Sequence, residues 1–253
     1  VIARATLNAP KSLNALSLEM IQLLSEKLDA WEQRSDVVAI WLDGAGGKAL
    51  CAGGDIVQMH KSMVKHAGEG RNPFTEEYFA AEYVLDYRLH TSAIPVIVFG
   101  DGIVMGGGMG LLQGADFRLV TPRSRMAMPE ITIGLFPDVG GSWFLNRLPG
   151  RVGLFLGLTG VHINGREAVE IGMADRMVDA DADSLLDALA EQDFADDEAE
   201  NRAVIYRLFK QQAADMSDLP HPLIDHLPLI NRLCDGESIA VVTEQLLNVK
   251  ERD

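Results

Sequence analysis

The sequence predicts an α/β protein in which parallel strands alternate with helices. Short apolar runs typical of buried strands, such as residues 37–44 and 94–102, each end at a turn. Glycine-rich turns follow these runs and lead into helical segments. The unit of strand, glycine turn and helix repeats as a pattern, although not as closely similar sequence. This alternation is typical of parallel strand pairing.

The first elements follow one another in a regular order. In residues 12–33, apolar side chains recur near i, i+3 and i+4, and Ser17 is placed to cap the resulting helix. Asp-Gly pairs end the two buried strands over 37–44 and 94–102. Before residue 150 the pattern predicts helices over 12–33, 53–64, 75–91 and 109–115, strands over 37–44, 94–102 and 116–122, and a mostly irregular segment over 125–150.

The last third of the chain differs in character. Beyond about residue 180 the patterns typical of strands become weak. The acidic segments that remain predict helices joined by loops. We interpret the acidic run as a solvated face. We therefore expect a core over residues 1–190 and a helical region over 191–253, with a soft boundary near 180–195.

Composition narrows the range of functions. The 253 residues are 47% hydrophobic and carry a formal net charge of −15, which favours a substantial core and argues against nucleic-acid or anionic-membrane partners. The most apolar stretch, 93–112, contains a proline, an aspartate and six glycines, so it is a poor transmembrane helix. Two cysteines, Cys51 and Cys234, make no disulfide framework, and the N-terminus shows no signal pattern. We expect a cytoplasmic protein.

Two glycine-rich loops each follow a predicted strand and lead into a helix: "CAGGDI" (51–56) and "VMGGGMG" (104–110). Bare glycine amides at a helix N-terminus suit an anion, and two such loops side by side can form an oxyanion hole. The alternative is that glycines 106–108 only let a strand and a helix pack closely. A phosphate-binding loop is excluded because no Gly-Lys-Ser/Thr follows, and G-x-G-x-x-G fits 106–111 badly.

Two carboxylates are candidates for acid–base chemistry. Glu130 and Asp138 each follow a proline, between apolar residues and close to glycines. Apolar surroundings raise the pKa of a carboxyl group, although such a residue can equally cap a turn. The pattern alone does not identify a reaction. Since the sequence has no G-x-S-x-G elbow, H-E-x-x-H or C-x-x-C, we expect neither a serine hydrolase nor a metal site.

The ordered motifs "GGDI", "DGIVMGGGMGL", "AMPEITIGLFPDVGGSWFLNRLPG" and "IGMAD" resemble the crotonase (enoyl-CoA hydratase/isomerase) superfamily. Within it they look most like the 3-hydroxyisobutyryl-CoA hydrolase branch. The resemblance runs from "TLNAPKSLNAL" to about residue 180, and "PEITIGLFPDVGG" is its most specific part. By this resemblance, we expect the chain to begin inside the branch's first strand and to end before its later C-terminal helices. The region over 191–253 is then a partial one.

The resemblance implies a spiral core of repeated β–β–α units and an acyl-CoA thioester as substrate, with coenzyme A part of the substrate and no separate cofactor. In that family two glycine loops donate backbone N–H groups to the thioester oxygen. The implied positions are Gly54 and Gly107 as donors, with Gly53, Asp55, Gly106 and Lys11 as further substrate contacts. Lys11 would meet a CoA phosphate, and a plain surface lysine is the equal alternative. A carbonyl lying against bare backbone would account for the glycine triplet.

The resemblance also distinguishes among activities. Hydratases have a catalytic glutamate two residues after the triplet, and here Gly110 stands at that position. Glu130 matches their second glutamate, whereas Asp138 stands where they usually have glycine. This combination implies hydrolysis of 3-hydroxyisobutyryl-CoA, a step of valine catabolism. Glu130 would attack the thioester or activate a water, and Asp138 would orient the 3-hydroxyl group or assist proton transfer to the thiolate.

Two alternatives remain open at this stage. One is another crotonase activity, such as an enoyl-CoA hydratase or isomerase, and the other is a non-catalytic acyl-CoA-binding protein. The superfamily favours trimers or hexamers, so a homo-oligomer is an expectation whose size the sequence leaves open.

Overall fold

The computed structural model describes residues 1–249, within which nine strands and twelve α-helices are defined. The strands are β1 (Ile2–Leu7), β2 (Ala39–Gly44), β3 (Ala49–Cys51), β4 (Val96–Gly100), β5 (Ile103–Met105), β6 (Phe117–Val120), β7 (Arg125–Ala127), β8 (Ile163–Asn164) and β9 (Arg176–Met177). The first helices are α1 (Leu18–Glu32), α2 (Ile56–Lys65), α3 (Pro73–His90), α4 (Gly107–Gly114), α5 (Gly141–Phe144) and α6 (Val152–Thr159). The remaining helices are α7 (Gly165–Glu170), α8 (Ala182–Ala190), α9 (Glu198–Gln211), α10 (Pro222–Asp225), α11 (Leu227–Leu233) and α12 (Ile239–Leu247).

The strands form two sheets. The larger has the order β1-β2-β4-β6-β9 and is parallel throughout. The smaller has the order β3-β5-β7-β8, parallel except for the pair β7–β8. Three times along the chain, at β2–β3, β4–β5 and β6–β7, a strand of the larger sheet is followed by a short strand of the smaller one and then by a helix. This is the β–β–α repeat that the family resemblance implied, and the α/β fold class is confirmed.

The main predicted elements are present with modest shifts at their ends. The first helix begins at Leu18, with the Ser17 side chain accepting a hydrogen bond from the Met20 amide at 3.1 Å, as expected of its cap. The fourth begins at Gly107, inside the glycine triplet and two residues before its predicted start. The segment 125–150, predicted as mostly irregular, holds the three-residue strand β7 and the short helix α5.

Helices cover the larger sheet on its outer face. Trp41 and Phe99 project from β2 and β4 into a cluster with apolar residues of α8 and α9, including Leu185 and Phe209. The Trp41 and Phe99 rings stack with centroids 5.7 Å apart. The described part of the region beyond residue 190 is helical, while the division at 190 stays a prediction and residues 250–253 lie outside the described range.

The main core lies between the two sheets and helices α1, α3, α4 and α6. Helix α3 packs against both α1 and α4, so it lies over the glycine triplet. Cys51 and Cys234 are both buried and not bonded to each other, as the sequence predicts. No helix within residues 1–249 has the length and apolar character that crossing a lipid bilayer requires.

Candidate active site

The first glycine loop is held in place by hydrogen bonds between Leu16 and the two residues that flank Gly54. The Leu16 amide donates to the Gly53 carbonyl, and the Asp55 amide donates to the Leu16 carbonyl, both at 2.8 Å. In such a parallel bridge the central residue, Gly54, directs its own N–H away from Leu16. A Cβ atom on Gly54 would lie 2.7 Å from the Tyr78 hydroxyl oxygen, so only glycine fits there.

Asp55 completes this loop by starting α2. Its side chain accepts a hydrogen bond from the Gln58 amide at 3.0 Å, which is the standard role of an N-cap. Gly53 has φ of +115°, a backbone conformation that glycine adopts without strain. The two residues therefore set the path of the chain on either side of Gly54.

The second glycine loop enters α4 directly. Gly106 has φ of +50° and precedes the first helical residue, Gly107, whose amide has no acceptor within the helix. A Cβ atom on Gly107 would lie 3.5 Å from the Gly54 nitrogen and 2.5 Å from Glu82 Oε1. A Cβ atom on Gly108 would collide with the Cys51 carbonyl. The triplet therefore serves close packing and also brings two glycine amides to one place.

Glu130 begins a single 3₁₀ turn, Glu130–Ile133. It is only 5% exposed, and its Oε2 atom has no hydrogen-bond partner among the described residues. Its other carboxylate oxygen would lie 3.1 Å from a Cβ atom on Gly106, so this acid faces the second loop. Burial and, to a smaller extent, the nearby charge of Asp138 together raise the pKa of Glu130 to about 7.

Asp138 lies in the tight segment between that turn and α5. Its carboxylate accepts a hydrogen bond from the Tyr83 hydroxyl at 2.8 Å, and its carbonyl accepts from the Gly141 amide at 2.6 Å. The next residue, Val139, has φ of +43°, which is strained for a β-branched side chain. Burial raises the pKa of Asp138, and the hydrogen bond from Tyr83 opposes that rise.

These groups line one cavity of about 470 Å³. The predicted site residues that line it are Gly53, Gly54, Asp55, Gly106, Gly107, Glu130 and Asp138. Lys11 does not line it: this exposed residue lies in the 3₁₀ turn Pro10–Ser12, beside Ser12, which does. Apolar side chains including Phe79, Ile133 and Leu135 form much of the remaining wall.

Two further carboxylates, which the sequence interpretation missed, project from α3 toward this region. Glu82 lines the cavity and is 2% exposed, and its pKa is raised to about 8, mainly by burial and then by the charges of Asp86 and Asp138. Asp86, one turn later, has both carboxylate oxygens buried, and its pKa is also raised to about 8 by burial and by Asp138. The spacing of Tyr78, Glu82, Leu85 and Leu89 places Glu82 on a buried face, which was the available signal.

A second cavity of about 310 Å³ is lined by the aromatic residues Tyr83, Tyr87, Trp143 and Phe144, together with Asp86. The hydroxyl group of Tyr83 bonds Asp138, which lines the main cavity, so this hydrogen bond links residues of the two spaces.

The main cavity can polarise a carbonyl group and move protons. Two glycine amides are near each other, and the carboxyl groups of the buried Glu82 and Glu130 and the half-buried Asp138 line the same space. Within the described residues no lysine, arginine or histidine lines it, so protons must limit its negative charge. Residues 1–249 also contain no cluster of His, Cys, Asp and Glu suited to a metal ion.

The fold and this site define a member of the crotonase class. The profile of the family "Enoyl-CoA hydratase/isomerase" matches residues 2–253, and the chain belongs to this family. Among curated proteins, the chain is 38% identical over 244 residues to "3-hydroxyisobutyryl-CoA hydrolase, mitochondrial" of Xenopus tropicalis and 40% identical over 243 residues to that of Mus musculus. Each alignment covers 95% of this chain and 61% of the relative, so the chain spans about three fifths of their length.

Solved structures support the same fold. A carnitinyl-CoA dehydratase from Mycobacterium thermoresistibile superimposes with a TM-score of 0.81 at 32% identity, covering 97% of this chain and 67% of that protein. An enoyl-CoA hydratase from Rhodobacter sphaeroides gives a TM-score of 0.77 at 33% identity, covering 98% and 67%. The predicted superfamily is thereby confirmed.

Proposed function

We propose that this protein hydrolyses a short, branched 3-hydroxyacyl-CoA thioester, 3-hydroxyisobutyryl-CoA, to the free acid and coenzyme A. The observation that carries the proposal is the convergence of Glu130 and Asp138 with the Gly54 and Gly107 loops in one cavity. The curated relatives named as 3-hydroxyisobutyryl-CoA hydrolases support the same substrate. Coenzyme A enters as part of the substrate, and the proposal includes no further cofactor.

The Gly54 and Gly107 amides polarise the thioester carbonyl and stabilise the oxyanion that forms when a nucleophile adds. Glu130, whose pKa of about 7 leaves it partly ionised near neutral pH, is the base or nucleophile. As a base it takes a proton from the attacking water. As a nucleophile it forms an acyl anhydride that water then hydrolyses. In both routes the C–S bond breaks, the thiolate gains a proton, and one water is consumed.

Asp138 has two roles open to it. It can accept a hydrogen bond from the 3-hydroxyl group of the substrate, or it can pass a proton to the departing thiolate. Its hydrogen bond with Tyr83 holds the carboxylate in place for either role. Glu82 lies beside Gly107, and its raised pKa keeps it mainly protonated at neutral pH. A neutral acid there avoids placing a charge against the oxyanion.

The test is steady-state hydrolysis of a panel of CoA thioesters, with free thiol and enoyl absorbance followed in parallel. We expect thiol release from 3-hydroxyisobutyryl-CoA, and slower release from isobutyryl-CoA, which lacks the 3-hydroxyl group. Crotonyl-CoA should lose negligible enoyl absorbance, because position 110 is glycine and supplies no second carboxylate for adding water across the double bond. Robust enoyl loss without thiol release would overturn the proposal in favour of a hydratase, and CoA binding without turnover would favour a binding protein.

We also propose a compartment that keeps thiols reduced, with the cytoplasm as our expectation from the sequence. Two buried, unbonded cysteines agree with such a compartment. The curated relatives carry the word mitochondrial in their names. Fractionation of the source cells with antibody detection would distinguish the two locations.

A further inference from the structure

The carboxyl group of Asp86 occupies the space beside Gly110 in α4. A Cβ atom on Gly110 would lie 2.8 and 2.9 Å from the two Asp86 oxygens and 2.7 Å from the Cβ atom of Val139. Any larger residue at position 110 would therefore displace Asp86 or Val139. Since Val139 follows Asp138 directly, Asp86 is packed against the segment that carries one of the proposed site residues.

The environment of Asp86 is unfavourable for a negative charge. Both its oxygens are shielded from solvent, and neither has a hydrogen-bond partner among the described residues. An ionised carboxylate buried in this way would lose its hydration without compensation. A neutral carboxylic acid avoids most of that cost.

The neighbouring groups add negative charge. The titratable residues close to Asp86 are Glu82, Tyr83, Tyr87 and His90 on α3, Asp138 in the segment before α5, and Cys51 at the end of β3. Helices α4 and α5 contribute no titratable side chain. Among these residues His90 is the one that can carry a positive charge, and it lines the second cavity, away from Glu130. The Arg147 guanidinium lies over the ring of Trp143, which lines the same cavity.

We propose that Asp86 is a positioning residue that carries a proton in the active enzyme, and that its ionisation at alkaline pH reduces turnover. The protonated, neutral side chain of Asp86 fills the space beside Gly110 and adds no negative charge close to the glycine triplet. The ionised form would repel Asp138 and Glu82 and oppose the oxyanion that the proposed hydrolysis creates. Asp86 does not line the main cavity, so it acts through these neighbours.

Unfolding experiments test the proton directly and require no substrate. The raised pKa of Asp86, about 8, means that the folded state binds a proton that the unfolded state has lost above its ordinary value near 3.8. Between these values the unfolding constant of the wild type should rise with pH by up to tenfold per unit, relative to Asp86→Asn. A difference between the two proteins that stays constant from pH 5 to 8 would overturn the proposal.

The pH dependence of turnover is the second measurement, and its use rests on the proposed hydrolase function. The wild type should lose kcat above about pH 8, where both Asp86 and Glu82 ionise, whereas Asp86→Asn should keep its neutral activity within about threefold and lose kcat less steeply, since only Glu82 remains to ionise. Glu77→Gln, the same chemical change at an exposed position of α3, is the matched control and should leave the profile unchanged. An alkaline limb of unchanged steepness in Asp86→Asn would overturn the proposal and assign the whole loss to Glu82.

Asp86→Ala is a second variant for the unfolding experiment, in case Asp86→Asn fails to fold. It removes the titrating group with less volume and must reproduce the unfolding result of Asp86→Asn. If no thioester is turned over at all, the proposed function fails while the unfolding comparison still decides whether Asp86 holds a proton.

Discussion

The hydroxyl group of Tyr83 donates a hydrogen bond to Oδ2 of Asp138 at 2.8 Å. This bond joins α3 to the segment that holds Asp138, and the two residues are 55 positions apart in the chain. It favours the ionised form of Asp138, against the effect of burial. Tyr83 thus holds the carboxylate of a proposed site residue in position and limits the rise in its pKa that burial causes.

Replacing Tyr83 by phenylalanine removes this bond and keeps the ring. Loss of a hydrogen bond to a charged group costs about 1.5–3 kcal/mol, so kcat/KM should fall by at least about tenfold. The pKa of Asp138 should rise, because the hydroxyl group that favours its ionised form is gone. Tyr87→Phe is the control, because it makes the same chemical change one helical turn later, where Tyr87 is 67% exposed. Equal activity of both variants would contradict the role of Tyr83.

Glu130→Gln tests the proposed base or nucleophile. The amide keeps the size of the side chain but can neither take a proton from water nor form an anhydride. We expect kcat to fall by about 10²–10⁴, with coenzyme A binding measured by calorimetry nearly unchanged. Turnover close to that of the wild type would exclude Glu130 from the chemistry.

The pH dependence on the acidic side follows from the same residue. Burial raises the pKa of Glu130 to about 7, so the protonated and inactive form predominates below that pH. We expect kcat/KM to decline from about pH 7 downward, approaching a tenfold loss per pH unit. The check is a profile from pH 5 to 8, with unfolding followed at each pH. Full activity at pH 5 would mean that another group is the base.

The larger sheet was predictable because its strands carry long apolar runs. All six residues of β2 are buried or nearly so, and such continuous runs are typical of parallel strands covered on both faces. The strands of the smaller sheet have two or three residues each, too few to show a period. The second strand of each unit was therefore found through the family resemblance and not through the local pattern.

The residues of the candidate site also fall into two groups, those with a local sequence signal and those that only the packing reveals. Glycine loops and Pro-flanked acids are local signals, so both loops and Glu130 could be named from the local pattern, while Gly54 and Gly107 were named as donors through the family resemblance. Tyr83 and Glu82 lie on a long helix whose charged residues mostly face solvent, and only the packing of α3 over α4 brings these two into the site. Asp86 required the side-chain geometry around Gly110, which no spacing rule provides.

Gly107→Pro and Gly107→Ala together isolate the backbone amide of the second loop. Both variants add a Cβ atom close to Glu82 Oε1, but only proline removes the N–H group. Gly107 is the first residue of α4, where proline is well tolerated, so the helix should survive. We expect Gly107→Pro to be slower than Gly107→Ala by about 10²–10³ in kcat, the cost of one lost oxyanion donor. Circular dichroism and thermal unfolding of both proteins would verify the fold. If two folded variants show the same kcat, the glycine triplet serves packing alone, and the oxyanion must be stabilised elsewhere.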